Sequence, residues 1–284
     1  MRKIIVDSNC ICYRAFYAMD GDPDGVIFNF LMQLLTLGKF LNSNNFIFCW
    51  DSRTSKRKEI YPSYKENRHK DKNDSEEEIE EKRKLRRLMY KEFDKIREDV
   101  IPSLGFKNSF VFDGFEADDI GAAVAMEYSN DENVLVTTDE DWYQLLGYAK
   151  MWNPNKRIFM TRRSFFRKYG IPSWKWSWVK AYAGCTSDEV KGICGVGEPT
   201  AIGYILGELK ESFKRYQAIT SRRGKFIYKR NMELVRLPFP GLPKIKLIEN
   251  NLSLRAFKNI CRKYKLNKLI SNLNEWKTFL SKGE

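Results

Sequence analysis

Apolar residues in the first half of the chain come as short, isolated runs, and three of them close on an acid. Residues 3–7, 46–51 and 134–139 end at Asp7, Asp51 and Asp139. Short continuous runs bounded by polar residues predict buried strands. Strands are expected at 3–7, 46–50, 109–112 and 133–137, with a further one at 149–152. Longer apolar stretches fall between them: 24–41, with Asp24 placed to cap it, 116–129, and a short helix at 141–147. Strand, helix and strand in that order predict parallel βαβ units. The expected class is α/β, with a mostly parallel central sheet flanked by helices.

Two regions depart from that rhythm. Residues 53–72 are mostly basic and 76–81 acidic; an amphipathic pattern returns only after Leu85, with Leu88, Phe93 and Ile96. An irregular excursion followed by a helix is expected there. After Met160 the alternation stops. Thr161 is placed to cap a short helix, 173–183 reads as helix, and 208–284 as mostly helical around a Pro-rich turn at 238–243. The chain is expected to divide into residues 1–160, carrying the sheet, and a helical region, 161–284.

Charge sharpens that division. Residues 162–284 hold 26 Lys and Arg against 9 Asp and Glu, a net +17, whereas residues 1–161 hold 24 against 28, a net −4. An acidic half joined to a basic half suits a polyanion gripped by one and acted on by the other. The six cysteines (Cys10, Cys12, Cys49, Cys185, Cys194 and Cys261) lack paired CxxC spacing and read as reduced thiols. The only histidine is His69, so chemistry built on a Ser-His-Asp set is excluded. No GxxxxGK[ST] loop is present, which argues against an NTP motor. No apolar run reaches membrane length and no signal-peptide pattern opens the chain, so a cytoplasmic protein is expected.

In open parallel sheets, ligands sit beyond the carboxyl ends of the strands. Asp7, Asp51 and Asp139 fall there. Glu116, Asp118 and Asp119 open the helix at 116–129, and Asp141 and Asp188 extend the set. A single Asp after a strand is ordinarily a turn residue. So many acids together repel one another and call for cations. Oxygen donors select Mg²⁺ or Mn²⁺, and two such ions serve phosphoryl chemistry. A second element is Gly195-Val196-Gly197 between helices, a tight turn whose backbone N–H groups can hold a phosphate without touching a base. A third is residues 61–68, where Lys65 offers a point charge and Arg68 a bidentate clamp for phosphate. Lys214, Arg215, Arg222, Arg223 and Lys225 are further candidates for backbone contacts to nucleic acid.

Asp7, Asp51, the Tyr64-Lys65-Glu-Asn-Arg68 segment, Glu116-Ala-Asp118-Asp119, Thr138-Asp139-Glu-Asp141-Trp142 and Gly195-Val196-Gly197 stand in that order over nearly the whole chain. Together they resemble the 5′-nuclease family, the flap endonucleases and 5′→3′ exonucleases of phages and bacteria. The length is similar to that of the stand-alone phage type. The resemblance implies a helical arch at about 53–98 and a helix–turn–helix at about 180–207. It implies phosphodiester hydrolysis near a 5′ end or flap junction, leaving a 5′-phosphate, in primer removal, replication or repair. By the same resemblance Asp7, Asp51, Glu116, Asp118 and Asp119 would serve a first metal, and Asp139, Asp141 and Asp188 a second. Lys65 and Arg68 would reach the scissile phosphate. Tyr64 would either stack on an unpaired base or pack at the arch base. Implied cofactors are two Mg²⁺ ions, replaceable by Mn²⁺, and a K⁺ at the helix–turn–helix. Implied partners are DNA with a 5′ flap or 5′ end, or an RNA–DNA hybrid. The chain would be a monomer away from membranes, working beside a polymerase or single-strand-binding protein.

One position departs. The family reads Gly-Asp-x-x-Asp where this chain has Gly184-Cys185-Thr-Ser-Asp188. A thiol is a poor ligand for Mg²⁺, so a more loosely held second metal or a preference for Mn²⁺ is expected. The departure keeps open a non-catalytic, structure-specific DNA-binding protein. A PIN-type ribonuclease is the other alternative, and it would lack the helix–turn–helix and the basic half.

Overall fold

The structure, a computed structural model, describes residues 2–18, 25–66, 75–271 and 273–281. The cap expected at Asp24, the phosphate clamp expected at Arg68, and His69 lie outside the described residues. Six strands form the central sheet: β1 (Lys3–Asp7), β2 (Phe46–Cys49), β3 (Ser109–Phe110), β4 (Asn133–Val136), β5 (Lys150–Asn153) and β6 (Ile158–Met160). Their order is β3-β2-β1-β4-β5-β6. The first five run parallel, and β6 returns antiparallel beside β5. Ile4 pairs with Phe46 on one side and Val134 on the other. Strands covered on both faces need no alternation, which is why 3–7, 46–50 and 133–137 read as continuous apolar runs. The strand order reverses between β1 and β4, the place where such sheets bind ligands. β6 was not foreseen; it is three residues long and half exposed, so burial left no pattern to read.

Helices cover both faces. On the face of Ile4, Val6, Phe46 and Phe48 lie α1 (Ser8–Tyr17), α2 (Val26–Phe40), the buried end of α4 (Glu76–Lys95) and α5 (Ile101–Leu104). On the face of Ile5, Ile47 and Leu135 lie α6 (Ala117–Glu127), α7 (Arg162–Tyr169), α8 (Trp176–Ala183), α9 (Glu198–Leu206) and α10 (Lys214–Thr220). The short α3 (Arg57–Ile60) and the long α11 (Arg222–Val235) meet beside them. The last helices, α12 (Leu254–Lys263), α13 (Asn267–Ile270) and α14 (Leu273–Leu280), return to the first face. Asn44 Nδ2 donates to the carbonyls of Phe279 and Leu280. Packing therefore does not follow the division at residue 160, because the tail completes the core of the first half.

The charged excursion becomes helix earlier than its apolar pattern indicates. α4 starts at Glu76, because Ser75 and Glu78 cap each other's backbone N–H. Three glutamates in the first turn also suit the positive end of the helix. The acidic run is thus the first turns of a helix whose buried residues are only Met89, Glu92 and Phe93. Among the described residues no helix is long and apolar enough to cross a membrane.

Candidate active site

Strand ends and one helix start bring five carboxylates to a single opening. Asp7 ends β1 and caps α1; it accepts from the Cys10 N–H (3.0 Å) and the Thr137 hydroxyl (2.8 Å). Asp51, just past β2, accepts from the Ala117 N–H (2.9 Å) and so ties β2 to the start of α6. Glu116 and Asp118 open α6. Asp139, three residues past β4, accepts from the Asp141 N–H (2.8 Å) and starts a short 3-10 turn, Glu140–Leu145. With Lys65, these acids line a cavity of about 600 Å³.

The cavity is electrostatically tense. Burial, joined by the charge of Asp51, raises Asp7 to about 7. Burial and then Asp119 hold Asp118 well above the carboxylate range. Burial also raises Asp139. For Glu116 burial pulls the same way, but Lys65 and Arg57 outweigh it and lower the group. The Lys65 ammonium stands 2.6 Å from Glu116 Oε2 and 3.9 Å from Asp188 Oδ1, and its backbone N–H donates to the Asp188 carbonyl (2.9 Å). Its φ of +55° is left-handed, an uncommon conformation for a non-glycine residue.

Two expected site residues do other work. Asp119 is fully buried and outside the cavity lining. Its two oxygens accept from the Arg57 guanidinium (2.7 and 2.8 Å), and it also takes the N–H groups of Glu116 and Phe239. Those bonds engage both of its oxygens, so in this structure Asp119 is the counter-ion of the buried Arg57. Tyr64 is 3% exposed and donates its hydroxyl to Glu116 Oε2 (3.0 Å), the arrangement of the packing alternative.

A second cluster lies next to the first. One donor atom each from Asp141, Cys185 and Asp188 falls within 4.8 Å of the others. Cys185 and Asp188 sit on a small hairpin of β7 (Gly184–Cys185) and β8 (Val190–Lys191), which stands in the connection between α8 and α9. Gly184, at φ +81°, allows the hairpin to close; a Cβ there would meet the Gly192 nitrogen at 2.4 Å. Lys180 of α8 lies 3.6 Å from Asp141 Oδ1 and 3.0 Å from Glu198. Burial, then the charge of Asp139, raises Asp141 to about 7, and burial with Asp188 pushes the Cys185 thiol up to about 11. Asp139, expected with this set, lines the first cavity and is joined to the second by the Asp141 N–H that it accepts. The second cluster is tight enough for a cation, and among the described residues its Asp141 Oδ1 is buried without a hydrogen bond; the first offers hard oxygens only, but no three of its donor atoms lie within 4.8 Å of one another.

The turn between α8 and α9 exposes Gly195, at φ +74°, and Gly197. Val196 is buried and its N–H donates to the Ile193 carbonyl, so of the three residues only the glycines present backbone to solvent. Lys214, Arg215, Arg222, Arg223 and Lys225 are all exposed along α10 and α11.

The model of the 5′-3′ exonuclease N-terminal resolvase-like domain matches residues 2–170. The chain belongs to the 5′-3′ exonuclease family. Members of this family are metal-dependent nucleases. It is 25% identical to a 5′-3′ exonuclease of Buchnera aphidicola subsp. Schizaphis graminum, covering 97% of this chain and 96% of that protein. It is 26% identical to the thermostable DNA polymerase I of Thermus thermophilus over 83% of this chain, but only 28% of the polymerase. The chain spans about a quarter of the length of such polymerases. In fold it is similar to the T5 D15 protein co-crystallized with metal ions (TM-score 0.72, 20% identity, 97% of this chain and 99% of that one). A T5 D15 flap endonuclease complex with DNA and metal ions aligns equally well (TM-score 0.71, 20% identity, 97% and 98%).

Some functional neighbours of this exonuclease-family site gave no signal in the sequence. Arg57 lies in a basic stretch and reads as solvated, yet it is 1% exposed. Lys180 looked like one more charge of the basic half. Tyr13, Arg14, Tyr17 and Asn155 line the cavity from α1 and the β5–β6 turn. The helical spacing of Tyr13 and Tyr17, one turn apart, was the one clue available.

Proposed function

We propose that the chain is a divalent-metal-dependent 5′-nuclease that hydrolyses DNA phosphodiester bonds near a 5′ end or flap junction. The observation that carries this reading is the convergence of Asp7, Asp51, Glu116, Asp118 and Asp139 on one open cavity beside Lys65. These five would hold a first divalent ion, and Asp141, Asp188 and Cys185 a second. Bound cations would supply Lewis-acid activation of water and neutralise charge on the phosphate. No protein nucleophile is required.

The chain's own groups do the rest. Lys65 bridges Glu116 and Asp188 and can exchange one of those contacts for a phosphate oxygen, stabilising charge that builds during cleavage. Arg57 and Asp119 lock α3, α6 and the Phe239 turn together, so the acids keep their positions. The backbone at Gly195 and Gly197 and the exposed bases of α10 and α11 hold phosphates. Binding would therefore be independent of sequence and weakened by salt. The T5 D15 complex supports DNA as the partner class. Either Mg²⁺ or Mn²⁺ would serve the all-oxygen cavity, and an RNA–DNA hybrid would fit the same phosphate contacts.

The test is a 5′-labelled flap substrate incubated with purified, folded protein, with and without Mg²⁺ or Mn²⁺. Metal-dependent release of the 5′ segment is expected. Tight flap binding with no cleavage at any metal concentration would return the chain to the DNA-binding alternative.

A further inference from the structure

The second cluster differs from the first in kind. Its three donors are two carboxylates and a sulfur, on Asp141, Cys185 and Asp188, all within 4.8 Å of one another. Cys185 Sγ is 3.6 Å from Asp188 Oδ2 and 3.0 Å from the Ser187 hydroxyl. The three residues are 7–9% exposed. Asp141 Oδ1 is buried among them with no hydrogen bond from the described residues; its nearest cation, Lys180 Nζ, stands 3.6 Å away. A buried carboxylate oxygen left in that state calls for a ligand. The thiol is held in place. Cys185 pairs with Val190 across the hairpin, and the close approach of Gly184 to Gly192 fixes where β7 runs.

We propose that Asp141, Cys185 and Asp188 form a mixed sulfur–oxygen cation site that selects borderline-soft divalent metals, in the order Zn²⁺ and Co²⁺ above Mn²⁺, and Mn²⁺ above Mg²⁺. The proposal rests on the nuclease reading for its purpose, though not for its chemistry. Thiolate ligands favour Zn²⁺ and Co²⁺, whereas Mg²⁺ keeps its water shell unless hard oxygens replace it. As the sulfur–metal bond forms, the thiol proton leaves to solvent. The two neighbouring sites would then carry different metals, with Mg²⁺ or Mn²⁺ at the five carboxylates and a softer ion beside Cys185.

The experiment is a Co²⁺ titration of chelator-treated full-length protein, read by the near-ultraviolet sulfur-to-cobalt charge-transfer band. A band is expected that saturates at one Co²⁺ per chain, is displaced by Zn²⁺, and survives excess Mg²⁺. Cys185→Ser should abolish it and weaken Co²⁺ binding roughly tenfold or more, the scale for losing a group that supports a metal. Cys194→Ser, at an exposed thiol, and Cys10→Ser, at the rim of the first cavity, should leave it intact. Absence of the band in the unsubstituted protein, or its persistence in Cys185→Ser, would overturn the proposal. Flap cleavage with Mg²⁺, measured on the same preparation, separates the two readings. Active enzyme without the band removes only the mixed site, and a Cys185-dependent band on inactive protein removes only the nuclease.

Discussion

The two acid clusters sit side by side, yet they hang on different parts of the molecule. The first grows from the ends of β1 and β2, the turn after β4 and the first turn of α6, all anchored in a sheet whose register is set by paired parallel strands. The second takes one acid from the 3-10 turn after β4 and its other donors from the eight-residue hairpin 184–191 between α8 and α9. The first is balanced by Lys65 and Arg57, the second by Lys180. The first is therefore a property of the α/β core, and the second depends on how the helical half is packed against it. Lys65 spans the two, with its side chain on Glu116 and its backbone on Asp188.

The largest expected break falls on the first cluster. Asp118→Asn should lower turnover on a flap substrate by on the order of 10³, the scale of several kcal/mol of charge stabilisation. Its metal-free melting temperature should not fall, because the change removes a buried charge that burial and Asp119 already disfavour. A variant that cuts normally would remove Asp118 from the metal set.

Its neighbour should behave in the opposite way. Asp119→Ala leaves the Arg57 guanidinium buried without its bidentate partner, a loss of about 3–5 kcal/mol in stability. Denaturant unfolding measures this directly. If Asp119→Ala is as stable as the parent but inactive, the assignment of Asp119 as the counter-ion of Arg57 is wrong and the ligand role returns. Lys65→Ala comes next: turnover should drop about 10²-fold, with substrate affinity changed far less. An equal drop in both would make Lys65 a binding residue only.

The contrast between Asp118 and Asp119 also shows what the sequence could convey. Strand ends were legible because continuous apolar runs stop where the chain leaves the sheet, and an acid at each stop is a local pattern. That reasoning located Asp7, Asp51 and Asp139. It could not separate Asp118 from Asp119, since the partner that decides between them, Arg57, is sixty-two residues away. Long-range pairing likewise hid the return of Phe279 to α2 and the burial of Tyr64. The start of α4 at Ser75 was present in the sequence as a capping box, but charge density masked it. Cys185 was legible as a departure, while its closeness to Asp141 needed the hairpin.

The smallest effect tests whether both clusters are strained without metal. Asp7 in the first and Asp141 in the second both titrate near 7 when folded, against an ordinary 3.8. Between those values the folded chain keeps protons that the unfolded chain releases. The resulting stabilisation is fully present below the unfolded value and is lost as pH rises through 7. Glu116 runs the other way, because its lowered value places its loss at the acid end of the carboxylate range. In chelator, stability should therefore fall from about pH 5 to about pH 7 by on the order of 1 kcal/mol per unit for each raised group, or about 2–4 °C in melting temperature. Divalent metal competes with those same protons, so its stabilising effect should grow over that interval. Asp7→Asn and Asp141→Asn should each remove one share of the slope, with the raised Asp118 and Asp139 supplying the rest. If only Asp7→Asn flattens the curve, the strain belongs to the sheet-borne cluster alone. A melting temperature that rises steadily from pH 5 to pH 7 in chelator would mean that neither cluster holds its acids under repulsion.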